Sequence, residues 1–256
     1  MNRINQLFEN NKDVLTMFFT AGFPSMEDTI PILNSLQKGG VDMIEIGIPF
    51  SDPVADGPVI QKANLQAIEN GMTVEKLFKQ LENFRNEITV PVVIMSSFNP
   101  ILQFGVKAFC EQCKTIGIDG LIIPDMPTDF YEKNYHEIFI KNELININLV
   151  TPTTPIERIK MIDKKSDGFI YLVSTSNTTG GKGVFSEEQN TYFRRIKNLN
   201  LKNPVLTGFG ISNHESFETV CAFTNGGIIG SAFVNALSEN GILPSSIQSF
   251  INEIRT

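Results

Sequence analysis

The sequence has little of several features that define whole classes of protein. It contains three cysteines in 256 residues, an odd and sparse set that does not form a disulfide framework. None of its apolar runs approaches the ~20 residues of a membrane span, and residues 1–9 have no apolar core of signal-peptide length. We therefore expect the chain to stay in a reducing compartment, the cytoplasm or a plastid stroma.

Basic residues, histidine and strand lysine are also scarce. The chain has 21 Lys and Arg against 28 Asp and Glu, a net charge of -7, which argues against nucleic acid and anionic membrane as partners. His136 and His214 fall in predicted helices far from other candidate ligands, which argues against a histidine-held metal. No predicted strand contains the lysine that a Schiff-base mechanism needs, so we expect acid–base chemistry on a small molecule.

Apolar runs alternate along the chain with segments of helical period. Eight strands, each followed by a helix and with no linker between them, predict the α/β class and a single (β/α)8 barrel over residues 1–256. A short amphipathic helix with Ile4, Leu7 and Phe8 precedes the first strand. An open doubly wound sheet is the alternative, but no βα turn carries its G-x-G-x-x-G motif. The predicted strands are 15–20, 43–47, 92–96, 120–123, 146–150, 169–173, 204–208 and 226–229.

The helical segments have apolar residues three and four positions apart. In one of them, Cys110 and Cys113 form a C-x-x-C, but their spacing with Phe109 and Ile116 favours a buried helix face over a redox pair. The loop after the sixth strand, 174–183, is rich in Ser, Thr and Gly and is typical of a mobile lid. The predicted helices are 28–38, 74–84, 107–116, 129–142, 155–163, 187–197, 213–222 and 246–254, with a further helix starting near Pro58.

Three acids follow one another around the second strand. Glu45 lies inside an apolar run, where burial would raise its pKa so that it could donate and then accept a proton near neutrality. Asp52 and Asp56 lie in the loop after that strand, at the face where barrels of this kind carry their active sites. Other interpretations are open: Glu45 could form an internal salt bridge, Asp52 could hold a turn, and Asp56 could cap the helix near Pro58.

The last two strands end in the glycine clusters T-G-F-G-I-S at 207–212 and G-G-I-I-G-S-A at 226–232. Glycine lets a ligand approach backbone N–H groups, and the following helix N-terminus adds partial positive charge. Barrels commonly bind phosphate at this position, so the clusters predict a phosphorylated substrate. Tight turns without a ligand are the alternative.

The run E-I-G-I-P-F-S-D-P-V-A-D-G-P-V-I-Q at 45–61 resembles the signature of the tryptophan synthase alpha subunit family. F-F-T-A-G-F-P at 18–24, F-N-P at 98–100, P-D-M-P at 124–127 and T-P-T-T-P at 151–155 extend the resemblance over the whole chain. It implies a retro-aldol cleavage of indole-3-glycerol phosphate to indole and glyceraldehyde 3-phosphate. No cofactor is expected in this chain.

The resemblance also implies a role for each matching residue. Glu45 would protonate the indole ring at C3 and take the proton of the glycerol hydroxyl, and Asp56 would accept a hydrogen bond from the indole N–H. Phe18 would pack on the indole, Tyr171 would lie near the reacting centre, and Thr179 would hold Asp56. The residues implied to hold the phosphate are Gly180, Gly210, Gly230 and Ser231.

The family's alpha subunit works in an α2β2 complex with a beta subunit that carries pyridoxal phosphate and consumes indole. The resemblance places Pro49, Asp52, Pro53 and the segment at 99–100 toward that partner. Two features depart from the family pattern: Asn177 and Thr178 replace a glycine and a valine, and Ser97 stands where an aromatic residue is frequent. Four other interpretations are open: a sugar-phosphate isomerase or epimerase, a flavin-binding barrel, a binding subunit without activity, and a free-standing lyase.

Overall fold

The computed structural model describes residues 1–53, 56–174 and 185–256, and within them eight parallel strands close a barrel in the order β1 to β8. Each strand pairs with its neighbours in sequence, and β1 closes the ring against β8, with Leu15 opposite Gly227. The predicted barrel with its N-terminal helix is therefore confirmed. The strands are β1 (Val14–Thr20), β2 (Met43–Gly47), β3 (Val92–Met95), β4 (Gly120–Ile122), β5 (Ile145–Val150), β6 (Ile170–Val173), β7 (Val205–Gly208) and β8 (Gly226–Ile229).

The described residues also form thirteen α-helices, and each strand is followed by at least one of them. Two short 3-10 turns, Met26–Asp28 and Phe84–Asn86, supplement them. None of these helices is long and apolar enough to cross a bilayer. The helices are α1 (Arg3–Asn10), α2 (Thr29–Gly39), α3 (Pro58–Glu69), α4 (Val74–Gln80), α5 (Phe98–Phe104), α6 (Val106–Ile116), α7 (Thr128–Asn134), α8 (His136–Lys141), α9 (Ile156–Lys165), α10 (Glu187–Asn198), α11 (His214–Cys221), α12 (Ser231–Asn240) and α13 (Pro244–Arg255).

Helix α6 shows why the C-x-x-C is a packing feature. Phe109, Cys110, Cys113 and Ile116 are all buried on one side of it. Burial raises the pKa of Cys110 to about 12 and that of Cys113 well above its ordinary value. Because the thiolate is the reactive form of cysteine, both side chains act as small apolar groups, and the buried-face interpretation is confirmed.

The structure differs from the sequence prediction at four helices. The helix expected over 74–84 ends at Gln80, and Phe84 begins a separate 3-10 turn. The prediction of a single helix over 129–142 is wrong: Tyr135, with φ -131°, separates α7 from α8, and its ring packs on Phe98 and Phe130. Helix α5 occupies a segment that was expected to be a loop. Its Pro100 is tolerated because it sits in the first turn, where the backbone N–H has no partner within the helix in any case. Helix α12, which follows the last glycine cluster, is also additional.

The floor of the barrel, at the N-terminal ends of the strands, is closed by a charged cluster centred on Asp119. This buried carboxylate accepts hydrogen bonds from the guanidinium of Arg85, from Arg3 Nη1 at 3.0 Å and from the N–H of Val92 at 2.8 Å. Arg85 also donates to the carbonyls of Gly117 and Val90. The cluster thus ties α1, the turn before β3 and the start of β4 together, on the face opposite the strand C-termini.

Asp119→Asn is expected to lower the free energy of unfolding by about 3 to 5 kcal/mol, because it removes the buried carboxylate and leaves the partly buried Arg85 without its counter-charge. Urea unfolding of the variant and of the wild type measures the loss. Asp129→Asn, which breaks an exposed ion pair with Arg158, is the control and should cause no measurable loss. Equal stability of both variants would contradict the assigned role of the floor cluster.

Candidate active site

Glu45 is the third residue of β2 and is 1% exposed. Neither of its carboxyl oxygens has a hydrogen-bond partner within the described parts of the chain, so the internal salt bridge considered above does not form there. Burial, with a further contribution from the charge of Asp56, raises the pKa of Glu45 to about 8. At neutral pH the carboxyl group is therefore mostly protonated, because its surroundings do not solvate the ionised form.

Asp56 lies half-buried between the end of β2 and the start of α3. The helix is capped by Gly57, and no side chain caps it, so the capping role considered for Asp56 is wrong. Its carboxylate instead accepts a hydrogen bond from Asn64 Nδ2 at 3.3 Å. Burial raises the pKa of Asp56, and the hydrogen bond from Asn64 acts in the opposite direction by favouring the ionised form.

Asn64 is a site residue that the sequence analysis missed. It is 3% exposed on α3, and its Oδ1 accepts a hydrogen bond from Thr20 Oγ1 at 3.3 Å, which turns the amide N–H groups toward Asp56. A signal was present in the sequence: Asn64 falls on the stripe of α3 that also buries Ile60, Ala63 and Ala67. A polar residue on a buried helix stripe needs a partner.

Tyr171, in β6, completes the buried group. Burial raises its pKa well above the ordinary value, and the charges of Glu45 and Asp56 raise it further, so the phenol stays neutral. The Tyr171 side chain lies over Gly208 of β7, in space that a larger residue would fill. A Cβ at position 208 would overlap the Tyr171 hydroxyl and ring. The structure therefore brings Glu45 and Asp56 close enough to Tyr171 for the charges of the two acids to act on the phenol.

Phe18 lies at the rim of the barrel between two glycines. A Cβ on Gly47 would come within 2.6 Å of the Phe18 ring, and a Cβ on Gly230 would meet the same ring at 3.4 Å. Phe18 also faces Glu45 across the β1–β2 pair. Because Gly47 and Gly230 have no side chains, the Phe18 ring can lie between them, beside Glu45.

A cavity of about 230 Å³ opens at the strand C-termini. Apolar side chains and the carboxylates of Asp52, Asp56 and Asp125 share its wall, which suits a small, largely apolar molecule with a polar group. Glu45 and Tyr171 are not among its lining residues as the described chain defines them. The lining residues are Phe18, Gly47, Ile48, Phe50, Asp52, Pro53, Asp56, Asn64, Met95, Ser96, Ser97, Pro124 and Asp125.

Two aspartates at this rim have local structural contacts. Asp52 is exposed and accepts a hydrogen bond from Ser51 Oγ at 2.6 Å, which agrees with the turn-holding interpretation. Asp125, after β4, was missed by the sequence analysis. Its two oxygens accept the N–H of Phe98 at 2.8 and 3.1 Å, so it holds the first residue of α5.

The glycine clusters after β7 and β8 lie at neighbouring strand ends. Phe209 and Gly210 have left-handed φ values of 73° and 82°, and for a bulky residue such as Phe209 this conformation costs about 1 to 3 kcal/mol. Gly230 precedes α12, and Ser231 is its first residue, so N–H groups at this helix start have no partner within the helix. The predicted Thr179 and Gly180, with the rest of the predicted lid at 175–183, lie outside the described residues.

No group of three or more histidine, cysteine or acidic side chains in the described segments has the arrangement of a metal site. His136 begins α8, and His214 begins α11 with its Nδ1 3.0 Å from the carbonyl oxygen of Ile254. Both histidines are therefore in helices, as predicted. The titratable groups that gather at the rim are carboxyl groups and a phenol.

The fold and these groups define a (β/α)8 barrel with buried carboxyl groups beside a cavity at its strand C-termini, the face where enzymes of this fold have their active sites. The family model "Tryptophan synthase alpha chain" matches residues 4–252. The chain therefore belongs to the tryptophan synthase alpha chain family. It is an enzyme of tryptophan biosynthesis with indole-3-glycerol-phosphate lyase activity.

Individual relatives agree in sequence and in structure. The tryptophan synthase alpha chains of Flavobacterium psychrophilum and Flavobacterium johnsoniae are each 54% identical to this chain, over 99% and 100% of its length and 100% of their own. The crystal structure of the alpha chain from Legionella pneumophila is 32% identical with a TM-score of 0.88, covering 100% of this chain and 96% of that one. A tryptophan synthase complex from Pyrococcus furiosus matches at 32% identity and a TM-score of 0.84, over 95% and 98%.

Glu45→Gln is expected to stabilise the protein increasingly as pH rises from 4.5 to 8. The folded state holds the Glu45 proton up to about pH 8, whereas the unfolded state releases it near the ordinary value of 4.5, so the wild type loses stability across this interval. The gain should reach about 3 to 5 kcal/mol above pH 8. Urea unfolding of both proteins at pH 5, 6.5 and 8.5 measures it. A difference that stays constant over this range would contradict the raised pKa.

Proposed function

We propose that Glu45 is both the acid and the base of the lyase reaction. Because it is protonated at neutral pH, it can donate its proton to C3 of the indole ring. The carboxylate left behind is buried and without a hydrogen-bond partner among the described residues, so it is a strong base. It then takes the proton of the glycerol hydroxyl, the bond between C3 and the glycerol carbon breaks, and Glu45 returns to its starting state.

We propose that Asp56 supports this step as an anion. Protonation at C3 places positive charge on the indole nitrogen, and an ionised Asp56 accepting the N–H would stabilise that charge. The hydrogen bond from Asn64 supports this role because it favours the ionised form of Asp56 against the effect of burial. The two acids thus divide the work through their surroundings, one protonated at rest and the other charged.

The remaining residues would bind and orient the substrate. Phe18 would pack on the indole, and Tyr171 would fill the space beside the reacting carbon as a neutral phenol. The N–H groups near Gly210, Gly230 and Ser231 would hold the phosphate together with Thr179 and Gly180, Thr179 also contacting Asp56. Glu45 does not line the described cavity, so this proposal requires the substrate to reach a group that is 1% exposed.

One observation carries the proposal: a fully buried carboxyl group that lacks a partner in the described chain and whose pKa is about 8. Glu45→Gln should lower kcat by about 10²- to 10⁴-fold, since the amide can neither donate nor accept the proton. Asp56→Asn should lower kcat strongly while leaving Glu45 intact. The assay is indole release from indole-3-glycerol phosphate.

Asp119→Asn is the matched control for this experiment, because Asp119 is equally buried but lies at the barrel floor. It should lose stability and keep its kcat, whereas Glu45→Gln should gain stability and lose kcat. An active Glu45→Gln variant would exclude Glu45 as the acid–base group.

We further propose that the chain works in an α2β2 complex, passing indole to a beta subunit that carries the pyridoxal phosphate. The relative from Pyrococcus furiosus is itself described as a tryptophan synthase complex. The rim also offers apolar surface: Leu102 on α5 is 49% exposed and Phe130 is 43% exposed, and the ring of Phe130 packs on Phe98.

Mixing the purified chain with the beta subunit of the same organism should therefore give a 2:2 assembly in light scattering and a large increase in indole release. Leu102→Ser should weaken the assembly with little change in the stability of the isolated chain, since about half of its side chain is already exposed. Ile140→Ser, at a 61% exposed position on α8, is the control. High activity alone and no association under any ligand condition would indicate a free-standing lyase.

A further inference from the structure

Ser174 is a buried serine at the end of β6 to which the reaction described above gives no role. It is 1% exposed. Its Oγ lies 3.1 Å from the carbonyl oxygen of Gly208 and 2.9 Å from that of Phe209, so one hydroxyl proton is shared by two consecutive carbonyls of the neighbouring strand end. Its N–H also donates to Gly208 at 3.3 Å. Three contacts therefore join Ser174 to a single turn.

That turn has an unusual backbone. Phe209 has a left-handed φ of 73° and Gly210 one of 82°. A bulky residue keeps this conformation only where its surroundings hold it. Two restraints are present: the Phe209 ring packs edge-on against Tyr171, with centroids 6.4 Å apart, and the Phe209 carbonyl is bound by Ser174.

The position of the carbonyls determines the direction of the N–H groups. In a trans peptide unit, the C=O of one residue and the N–H of the next point in opposite directions. Because the carbonyls of Gly208 and Phe209 both face Ser174 on the β6 side, the N–H groups of Phe209 and Gly210 both face away from it. The strand on that other side is β8, which leads to Gly230 and Ser231.

Two successive N–H groups that point the same way form a concave donor site for an anion. We infer that Ser174 is a positioning residue for the substrate phosphate: its hydroxyl holds the Phe209–Gly210 turn with both N–H groups directed at the phosphate. The inference rests on the proposed phosphate site and extends it to a residue that does not touch the substrate.

The test compares wild type, Ser174→Ala and Ser174→Cys in steady-state cleavage of indole-3-glycerol phosphate. Loss of one hydroxyl contact should raise KM, and the inhibition constant of inorganic phosphate, together by about fivefold in Ser174→Ala. The kcat value and the affinity for indole, which carries no phosphate, should stay within about twofold. Ser174→Cys, a weak donor of similar size, should fall between the two and carries the test if the alanine variant does not fold.

Ser35→Ala is the matched control, since Ser35 is also buried and donates to a carbonyl, that of Pro31 at 2.8 Å, but within α2. It should change neither KM nor phosphate inhibition. A Ser174→Ala variant with a lower melting temperature but wild-type KM and phosphate inhibition would overturn the positioning role and leave the proposed function standing. A wild type that cleaves the substrate without competition by phosphate would overturn the proposed phosphate site and this inference together.

Discussion

The rest of the site depends on one unfavourable interaction, a carboxyl group buried in a strand of the barrel without a hydrogen-bond partner in the described chain. An isolated charge in such a place is so costly that the group keeps its proton to about pH 8. The surrounding residues maintain this situation. Phe18 stands over the strand pair, Tyr171 stays neutral, and Asn64 binds Asp56 and not Glu45.

The barrel makes this arrangement possible because its two ends have separate tasks. At the floor, the buried charge of Asp119 is fully paired with Arg85, Arg3 and a backbone N–H. At the rim, the buried acid is left without a partner in the described chain, and the polar contacts go to the loops that flank it. A buried carboxyl group is therefore a source of stability at one end and a source of reactivity at the other.

Much of the fold followed from sequence because parallel barrel strands are buried on both faces and appear as short continuous apolar runs. Met43–Gly47 and Gly226–Ile229 were predicted to the residue. The break at Tyr135 was not, since helical periodicity continues across it and the cause is tertiary packing on Phe98 and Phe130. Glu45 and Asp56 were found because acids in or beside an apolar run are conspicuous. Asn64, Asp125 and Ser174 were missed because their meaning lies in hydrogen bonds between distant segments.

The floor cluster has a further consequence for how the protein tolerates change. Proteins accumulate substitutions until their stability approaches a threshold, and active sites are costly to maintain. Here the stabilising contacts of Asp119 and the reactive rim share no residue. A substitution at the rim that lowers the free energy of unfolding therefore leaves the contribution of the floor cluster intact. Variation in the loops around the cavity, such as the serine at position 97, can therefore be absorbed without loss of the fold, whereas a change at Asp119 would narrow the range of substitutions that every other position can accept.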